Sequence, residues 1–393
     1  MPNFKKILFN THMLLGLIFC VFIAIVGITG ALYSYSDTIR DFETAKKISR
    51  YESENSKVLS IEELMKRFLE QKQDENIAFF RVINARENIP LIEIVTIDKN
   101  GRYTFNSLNA YMGNIIELEL ISDKIFTPVM MLHRFLSFKR VNQFGKNIVA
   151  ATTIIIIFLL ITGIFLYSPM LKRNFLKSLR VDFKAKGYKF LYRLHSIFGI
   201  FTSVFILIMC LTGLWRSYEW YRDFLNNLTE IQKDSSLVRQ NRELADVSPK
   251  EFQKVFEMTK ETIDGSYLYI INTPFKDEPY KVLYKKGKYD AINTLTVDVE
   301  DDKIISHEIF EYKPLGQQLI NSMYALHSGQ YFGEFGKAVM CISSASMAMF
   351  SVSGAIMFYK RIKRNRKIKN TPQYNIRNRV YQIGNEINHK KHS

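Results

Sequence analysis

Residues 192–215 read YRLHSIFGIFTSVFILIMCLTGLW. From Ile197 to Trp215 the run contains no Asp, Glu, Lys or Arg, and about 20 such residues cross a hydrocarbon core as a helix. His195 stands at its entrance. An ionisable side chain is expensive there, so it marks a functional site by default. Three more runs have the same character: Met13–Leu32, Ile148–Tyr167 and Ala338–Phe358. The expectation is therefore four transmembrane helices. The first follows Lys5 and Lys6, as a signal peptide would, but it outruns the about 7–15 apolar residues of a cleaved segment and reads as a retained signal anchor.

The chain has 393 residues and a formal net charge of +16. Its distribution excludes a nucleic-acid partner. Residues 33–126 hold 13 Lys/Arg against 16 Asp/Glu, and residues 216–315 hold 15 against 19. The positive excess lies at the N-terminus, in Lys172–Lys189 and in the tail that begins KRIKRNRKIK at Lys360. This positive-inside asymmetry puts both termini and the basic loop in the cytoplasm. The acidic segments then lie across the bacterial inner membrane, in a periplasm, and the tail can touch anionic membrane lipid. The three cysteines are single, each inside an apolar run, with neither C-x-x-C nor C-x-x-C-H. They read as small apolar fillers, not as a disulfide framework or a covalent haem attachment.

The organisation expected is a cytoplasmic N-terminus (1–12), a first transmembrane helix (13–32), an outer domain (33–125), and an interfacial helix plus second transmembrane helix (126–168). A basic cytoplasmic loop (169–190), a third transmembrane helix (191–215) and a second outer domain (216–315) follow. An interfacial helix plus fourth transmembrane helix (316–359) and the basic tail (360–393) end it.

The two halves match. His12 is followed by Gly16 at +4, Thr29-Gly30 at +17/+18 and Tyr35 at +23; His195 is followed by Gly199, Thr212-Gly213 and Tyr218 at the same offsets. Phe144-Gly145-Lys146 precedes Thr162-Gly163 by 18 residues, Gly to Gly, and Phe335-Gly336-Lys337 precedes Ser353-Gly354 by the same 18. A Leu-His pair precedes each block, Leu132-His133 and Leu326-His327. The outer segments correspond too. SIEE (60–63) and SPKE (248–251) are capping-box patterns that open amphipathic helices, with Pro249 at the favoured first position. Strand-like runs follow each: IAFFRVI, LIEIVTI and RYTFN in the first, SYLYIIN, YKVLY, TLTVDVE and KIISHEI in the second. The fold class expected is a membrane α-helical protein of four transmembrane helices in duplicated pairs, with two α+β extracytoplasmic domains. Such internal symmetry often brackets a functional centre.

Of seven histidines, His389 and His392 fall in the basic tail and His307 in a polar strand, where surface roles suffice. The other four precede the four membrane helices. His12 and His195 enter from the cytoplasm, His133 and His327 from the outer face. Neutral imidazole is an axial ligand of haem, and one haem takes two from facing helices. Two pairs at two depths predict two haems b stacked across the bilayer, held by His12 with His195 and by His133 with His327. Gly16 and Gly199 lie one turn past their histidines on the same helix face, leaving room for a porphyrin or a close helix. Gly30, Gly213, Gly163 and Gly354 serve likewise at the opposite helix ends, beside the other haem. Small-residue helix packing explains these glycines equally well. Arg134, Arg193 and Lys337 are candidate propionate partners, against ordinary interfacial snorkelling. Closed Cys/His clusters for zinc, membrane carboxylates for a proton path, a Walker loop and a nucleophile elbow are all missing from the sequence.

His133 lies 14 residues before the apolar run at Asn147 and His327 lies 11 before Ala338. A straight helix would lift them roughly 15–20 Å above the core. A break is expected near Gly145, Gly329, Gly333 and Gly336, with FTPVMMLHRFL and LINSMYALHS as short helices at the interface.

At His12…Gly16…Thr29-Gly30, Leu132-His133, Thr162-Gly163-Ile-Phe-Leu-Tyr, Tyr192-Arg-Leu-His195…Gly199, Leu326-His327-Ser-Gly329 and Phe335-Gly336-Lys337 the sequence resembles the PepSY-associated transmembrane family. These are the iron-regulated membrane proteins that include siderophore-iron reductases of the ferrioxamine-reductase type. The resemblance covers roughly residues 8–362. It implies four inner-membrane helices, PepSY-like periplasmic domains, two haems on His12, His133, His195 and His327, and reduction of a ferric siderophore or related ferric chelate in the periplasm. The chain has no nucleotide or flavin fold of its own, so electrons would come from a cytoplasmic donor such as a flavin reductase. Tyr324 and Tyr331, near the outer histidines, suit either ligand contact or an aromatic belt. The alternative is a non-enzymatic PepSY module that binds a periplasmic peptide, protease or envelope partner.

Overall fold

The computed structural model describes residues 2–51, 57–72, 75–84, 90–138, 141–229, 243–286 and 291–369. His389, His392 and the end of the basic tail lie outside them. The chain opens with α1 (Pro2–Ile18), α2 (Cys20–Tyr33), α3 (Ser36–Ile48) and α4 (Ile61–Gln71). Strands β1 (Ile77–Asn84), β2 (Pro90–Ile97), β3 (Tyr103–Leu108) and β4 (Ile115–Ile116) follow. Then come α5 (Ile121–Phe135), α6 (Gln143–Arg173), α7 (Phe175–Ser178), α8 (Tyr188–Ser217) and α9 (Glu219–Leu228). The second half continues with α10 (Pro249–Ile263), β5 (Leu268–Asn272), β6 (Tyr280–Lys285), β7 (Asn293–Asp298) and β8 (Lys303–Glu308). It ends with α11 (Leu315–Asn321), α12 (Met323–Ser328) and α13 (Gly333–Lys369).

Among the described residues four helices are long and apolar enough to cross a membrane, over Cys20–Tyr51, Gln143–Arg173, Tyr188–Ser217 and Gln330–Arg366. The apolar part of the first ends with α2. Beyond it α3 is charged, and Glu43 accepts from the backbone N–H of Ile121 (2.7 Å) and Ser122 (2.8 Å) at the start of α5. Ile23, Ile156, Ile206, Cys210 and Met347 form the common core of the bundle. α2 and α13 approach closely. A Cβ on Gly27 would come within 2.7 Å of the Ser344 carbonyl, whose hydroxyl donates to the Gly27 carbonyl (3.0 Å). Small residues there let two backbones touch where lipid offers no hydrophobic drive.

The expected breaks occur, by different means. α5 ends at Leu136, which takes a left-handed conformation (φ 47°). α12 ends at Gly329 (φ 83°), where glycine carries no Cβ penalty. Gly145 and Gly336 act at close approaches instead of kinks: a Cβ on Gly145 would run into the Phe135 carbonyl, and one on Gly336 into the Gly329 carbonyl. The recurring Phe-Gly-Lys therefore lets α6 and α13 each start against the end of the histidine-bearing helix before it.

The extramembrane segments, expected as two α+β domains, share one antiparallel sheet of eight strands in the order β4-β3-β2-β1-β5-β6-β7-β8. The halves join through β1 and β5, with Phe80 opposite Ile271 and Val82 opposite Tyr269. β7 alternates buried and half-buried residues as a one-faced strand should. β2 is buried on both faces, because α3 covers its far side: Ile48 packs on Leu91 there. On the other face α4 and α10 contribute Leu64, Phe68, Phe252 and Val255 to a core around Phe80 and Val282. SPKE forms the full reciprocal capping box. SIEE forms half of one: Ser60 accepts from the Glu63 N–H (3.2 Å), but the Glu63 carboxylate is taken by Arg67 (2.8 Å).

Phe80 is fully buried in this shared core. Phe80→Ala is expected to lower stability by about 3–5 kcal/mol. Chemical unfolding of the detergent-solubilised chain, followed by the far-ultraviolet signal, measures it.

Candidate functional site

Each of the four membrane helices carries a Thr-Gly or Ser-Gly pair, and each pair receives one histidine from another helix. His12 Nδ1 lies 2.8 Å from Thr162 Oγ1. His195 Nδ1 lies 2.8 Å from Ser353 Oγ. His133 Nδ1 lies 3.1 Å from Thr29 Oγ1, and His327 Nδ1 lies 2.9 Å from Thr212 Oγ1. The arrangement is the same in both halves: α1 to α6 and α5 to α2, then α8 to α13 and α12 to α8.

These contacts determine the tautomer. Every hydroxyl has a single proton, and each is spent on its own helix. Thr29 donates to the Ile25 carbonyl (2.6 Å), Thr162 to Phe158 (2.8 Å), Thr212 to Ile208 (2.7 Å) and Ser353 to Phe350 (3.2 Å). Toward the imidazole the oxygen can only accept, so Nδ1 carries the proton. Val26 repeats the demand, since its carbonyl lies 3.1 Å from His133 Nδ1, and the Met209 backbone does the same for His327. Nε2 is then the nitrogen with the lone pair. Among the described residues no hydrogen bond engages Nε2 of any of the four. A histidine whose Nδ1–H is held by an acceptor while Nε2 stays open is the usual state of a metal ligand.

The four fall into two pairs. His133 and His327 face each other with ring centroids 6.4 Å apart and planes at 66°. Gly30 and Gly213 lie beside them: a Cβ there would sit 3.2 Å from His133 Cε1 and 3.4 Å from His327 Cε1, respectively. At the other end of the bundle His12 and His195 line one cavity of about 940 Å³. Its wall includes Gly16, Gly163, Gly199 and Gly354. A Cβ on Gly163 would touch His12 Cε1 at 3.4 Å, whereas one on Gly199 or Gly354 would meet nothing within 4 Å, so those two glycines widen the cavity. The rest of the wall is mainly apolar, and Lys5, Lys6 and Arg361 also line it. Among the described residues no group of three or more His, Cys, Asp or Glu is placed to hold a metal ion.

The charged candidates separate. Arg193 is spent on structure: it donates to the Lys177 (2.8 Å) and Arg180 (2.7 Å) carbonyls and to Tyr167 Oη (3.3 Å), closing the loop after α7. Lys337 is paired with Glu334 (2.8 Å) and donates to Thr38 Oγ1 (3.1 Å). Arg134, next to His133, packs on the Phe135 ring (5.0 Å) and has no carboxylate partner among the described residues. Burial, then the neighbouring Arg216 charge, push its guanidinium below the usual value. Arg216 is a residue the motif reading missed. It lies over the Tyr324 ring (5.5 Å), and Tyr324 donates to Asp37 (3.0 Å). The four hydroxyls were missed as well, although each stood directly before a glycine already singled out. His307, in β8, contacts Tyr284 Oη (2.6 Å), away from both pairs.

A family model described as PepSY-associated TM region matches residues 9–361. No curated protein matches the chain.

The acceptors are not redundant to the same degree. Thr162→Val strips His12 Nδ1 of its acceptor and is expected to cost about 1–3 kcal/mol. Thr29→Val leaves the Val26 carbonyl for His133 and should cost clearly less. Paired unfolding curves of the two variants test this ordering.

Proposed function

Because this chain belongs to the PepSY-associated transmembrane family, we propose that it is a di-haem b electron-transfer protein of the bacterial inner membrane that reduces a ferric siderophore, or a related ferric chelate, in the periplasm. The observation that carries this reading is the fourfold hydroxyl contact at Nδ1, which leaves Nε2 of all four histidines without a hydrogen-bond partner among the described residues. The fit is good at both sites. His133 and His327 stand 6.4 Å apart between ring centroids, a spacing at which both could hold one haem iron. The cavity at His12 and His195 is within the roughly 300–1,000 Å³ typical of cofactor sites.

His12 and His195 would hold one haem, and His133 and His327 the other. Bound haem supplies one-electron transfer; here the source would be a cytoplasmic donor such as a flavin reductase, and reduction of Fe(III) weakens its chelation by hard oxygens, so the iron is released. The protein's own residues do the positioning. Thr29, Thr162, Thr212 and Ser353 hold each imidazole in one tautomer and one plane. Arg134 and Arg216 offer charge-assisted donors to carboxylates beside the sheet-side pair. The apolar core between the sites keeps water out. We also read the chain as a duplication, because the histidine-to-hydroxyl scheme recurs with the same helix order in each half. Positive-inside charge supports cytoplasmic termini and a periplasmic sheet.

A second reading has its own support. β8 is an edge strand whose residues are mostly exposed, Ile304 and Ile305 included, and an open edge can accept an extended peptide. On that reading the chain is a membrane-anchored binding module for a periplasmic peptide, protease or envelope partner.

Visible spectra of the purified protein, oxidised and reduced with dithionite, together with a pyridine haemochrome assay, separate the two. Sharp reduced bands and about two haems b per chain are expected. His12→Ala or His195→Ala should remove one haem, and His133→Ala or His327→Ala the other. A folded but colourless protein, made with ample haem supply, overturns the reductase reading and leaves the binding module.

A further inference from the structure

Helix α9 has an apolar stripe that nothing among the described residues covers. Trp220, Phe224 and Leu228 are spaced four residues apart, on one side of the helix, and are 62%, 57% and 69% exposed. The helix buries no residue at all. Its other side carries Glu219, Arg222, Asp223 and Asn226, with Arg222 paired to Glu219 (3.5 Å). The corresponding helix of the first half, α3, behaves differently. It buries Ser36, Thr44 and Ile48 and packs against α5 and β2. The α9 stripe is therefore not part of the protein core.

What covers it follows from where it begins. α9 is joined to α8 by Tyr218 alone, whose extended conformation (φ −120°, ψ 127°) turns the chain off the α8 axis. α8 itself presents Phe201, Val204 and Leu211 outward, 58%, 60% and 41% exposed, in a helix apolar enough to span a bilayer. The stripe continues that lipid-facing surface at the sheet-side end. A neighbour extends it. α11 abuts the end of α9, so closely that a Cβ on Gly316 would come within 2.6 Å of Thr229, and it adds Leu315 and Leu319, 82% and 47% exposed. An amphipathic helix of this kind, with an indole at one end, is suited to the boundary between headgroups and acyl chains.

We infer that α9, extended by α11, lies flat in the membrane surface on the sheet side and buries Trp220, Phe224, Leu228, Leu315 and Leu319 among phospholipid. The pair acts as a second membrane anchor. It holds the sheet at a set height above the His133–His327 pair. The inference does not depend on haem.

The chain has two tryptophans, Trp215 and Trp220, which makes the test direct. The full-length Trp215→Phe variant, leaving Trp220 as the sole indole, is reconstituted in phosphatidylcholine vesicles whose acyl chains carry bromine either near the headgroup or near the terminal methyl. Emission from Trp220 should be at least halved by the shallow bromine and fall less with the deep one, the signature of interfacial depth. Energy transfer to any bound chromophore lowers all vesicles alike and cancels in the ratio. Should Trp215→Phe not fold, the difference between wild type and Trp220→Phe gives the same depth profile. Quenching by aqueous iodide with none by either lipid would mean that α9 stands in water and overturns the inference. Protection from lipid and iodide together would mean that protein, such as a second copy of the chain, covers the stripe, and overturns it equally.

Discussion

A buried imidazole needs an acceptor for its N–H, and in this protein that acceptor is always a hydroxyl on a different helix whose own proton is already committed. The Thr or Ser hydrogen bond to a carbonyl one turn back is a common, mildly unfavourable feature of helices. Here it makes the oxygen a pure acceptor. That single local bond selects the tautomer of a histidine far away in sequence, 150 residues away for His12 and Thr162. It also binds α1 to α6, α5 to α2, α8 to α13 and α12 to α8, so the same contacts that prepare the imidazoles assemble the bundle around them.

The glycines follow from that constraint. Next to the hydroxyls, a Cβ on Gly30 would crowd the His133 ring edge at 3.2 Å, whereas one on Gly163 or Gly213 would just touch the ring of His12 or His327 at 3.4 Å. For His133 and His327 to point back into the bundle, their helices must end before the membrane helices begin, with the two backbones in contact. Gly145 and Gly336 permit that contact. Gly199 and Gly354 have no neighbour to avoid. Their absent side chains widen the cavity between His12 and His195 instead.

The sheet links the halves on the side of the His133–His327 pair. Pairing of β1 with β5 makes the two extramembrane segments one rigid layer, so the helices that carry His133 and His327 hang from a common support. The layer is not symmetric in its attachments. α3 seals β2 from behind and caps α5 through Glu43, whereas α9 leaves its apolar stripe outside the fold.

Much of this was legible in the sequence because it depends on residue type and spacing alone. Four charge-free runs of membrane length, the 18-residue interval between Gly145 and Gly163 and again between Gly336 and Gly354, and the strand patterns all encode local structure. The histidines were legible too, since imidazole beside lipid demands a reason. What the sequence left open were long-range partners. Nothing in Thr-Gly says that its hydroxyl will face a histidine on another helix, or that Arg193 will be spent on the carbonyls of a loop while Arg216 lies over Tyr324. The capping pattern SIEE looked equal to SPKE until Arg67 claimed Glu63. The merging of two α+β segments into one sheet depends on edge strands finding each other, and β1 and β5 lie almost two hundred residues apart. By itself the sequence determined which elements form and which residues are chemically unusual, because those follow from propensity, charge and period. Only the tertiary structure decided which imidazole meets which hydroxyl, and hence which nitrogen holds the lone pair, because hydrogen-bond direction depends on distances that the chain acquires when its helices pack.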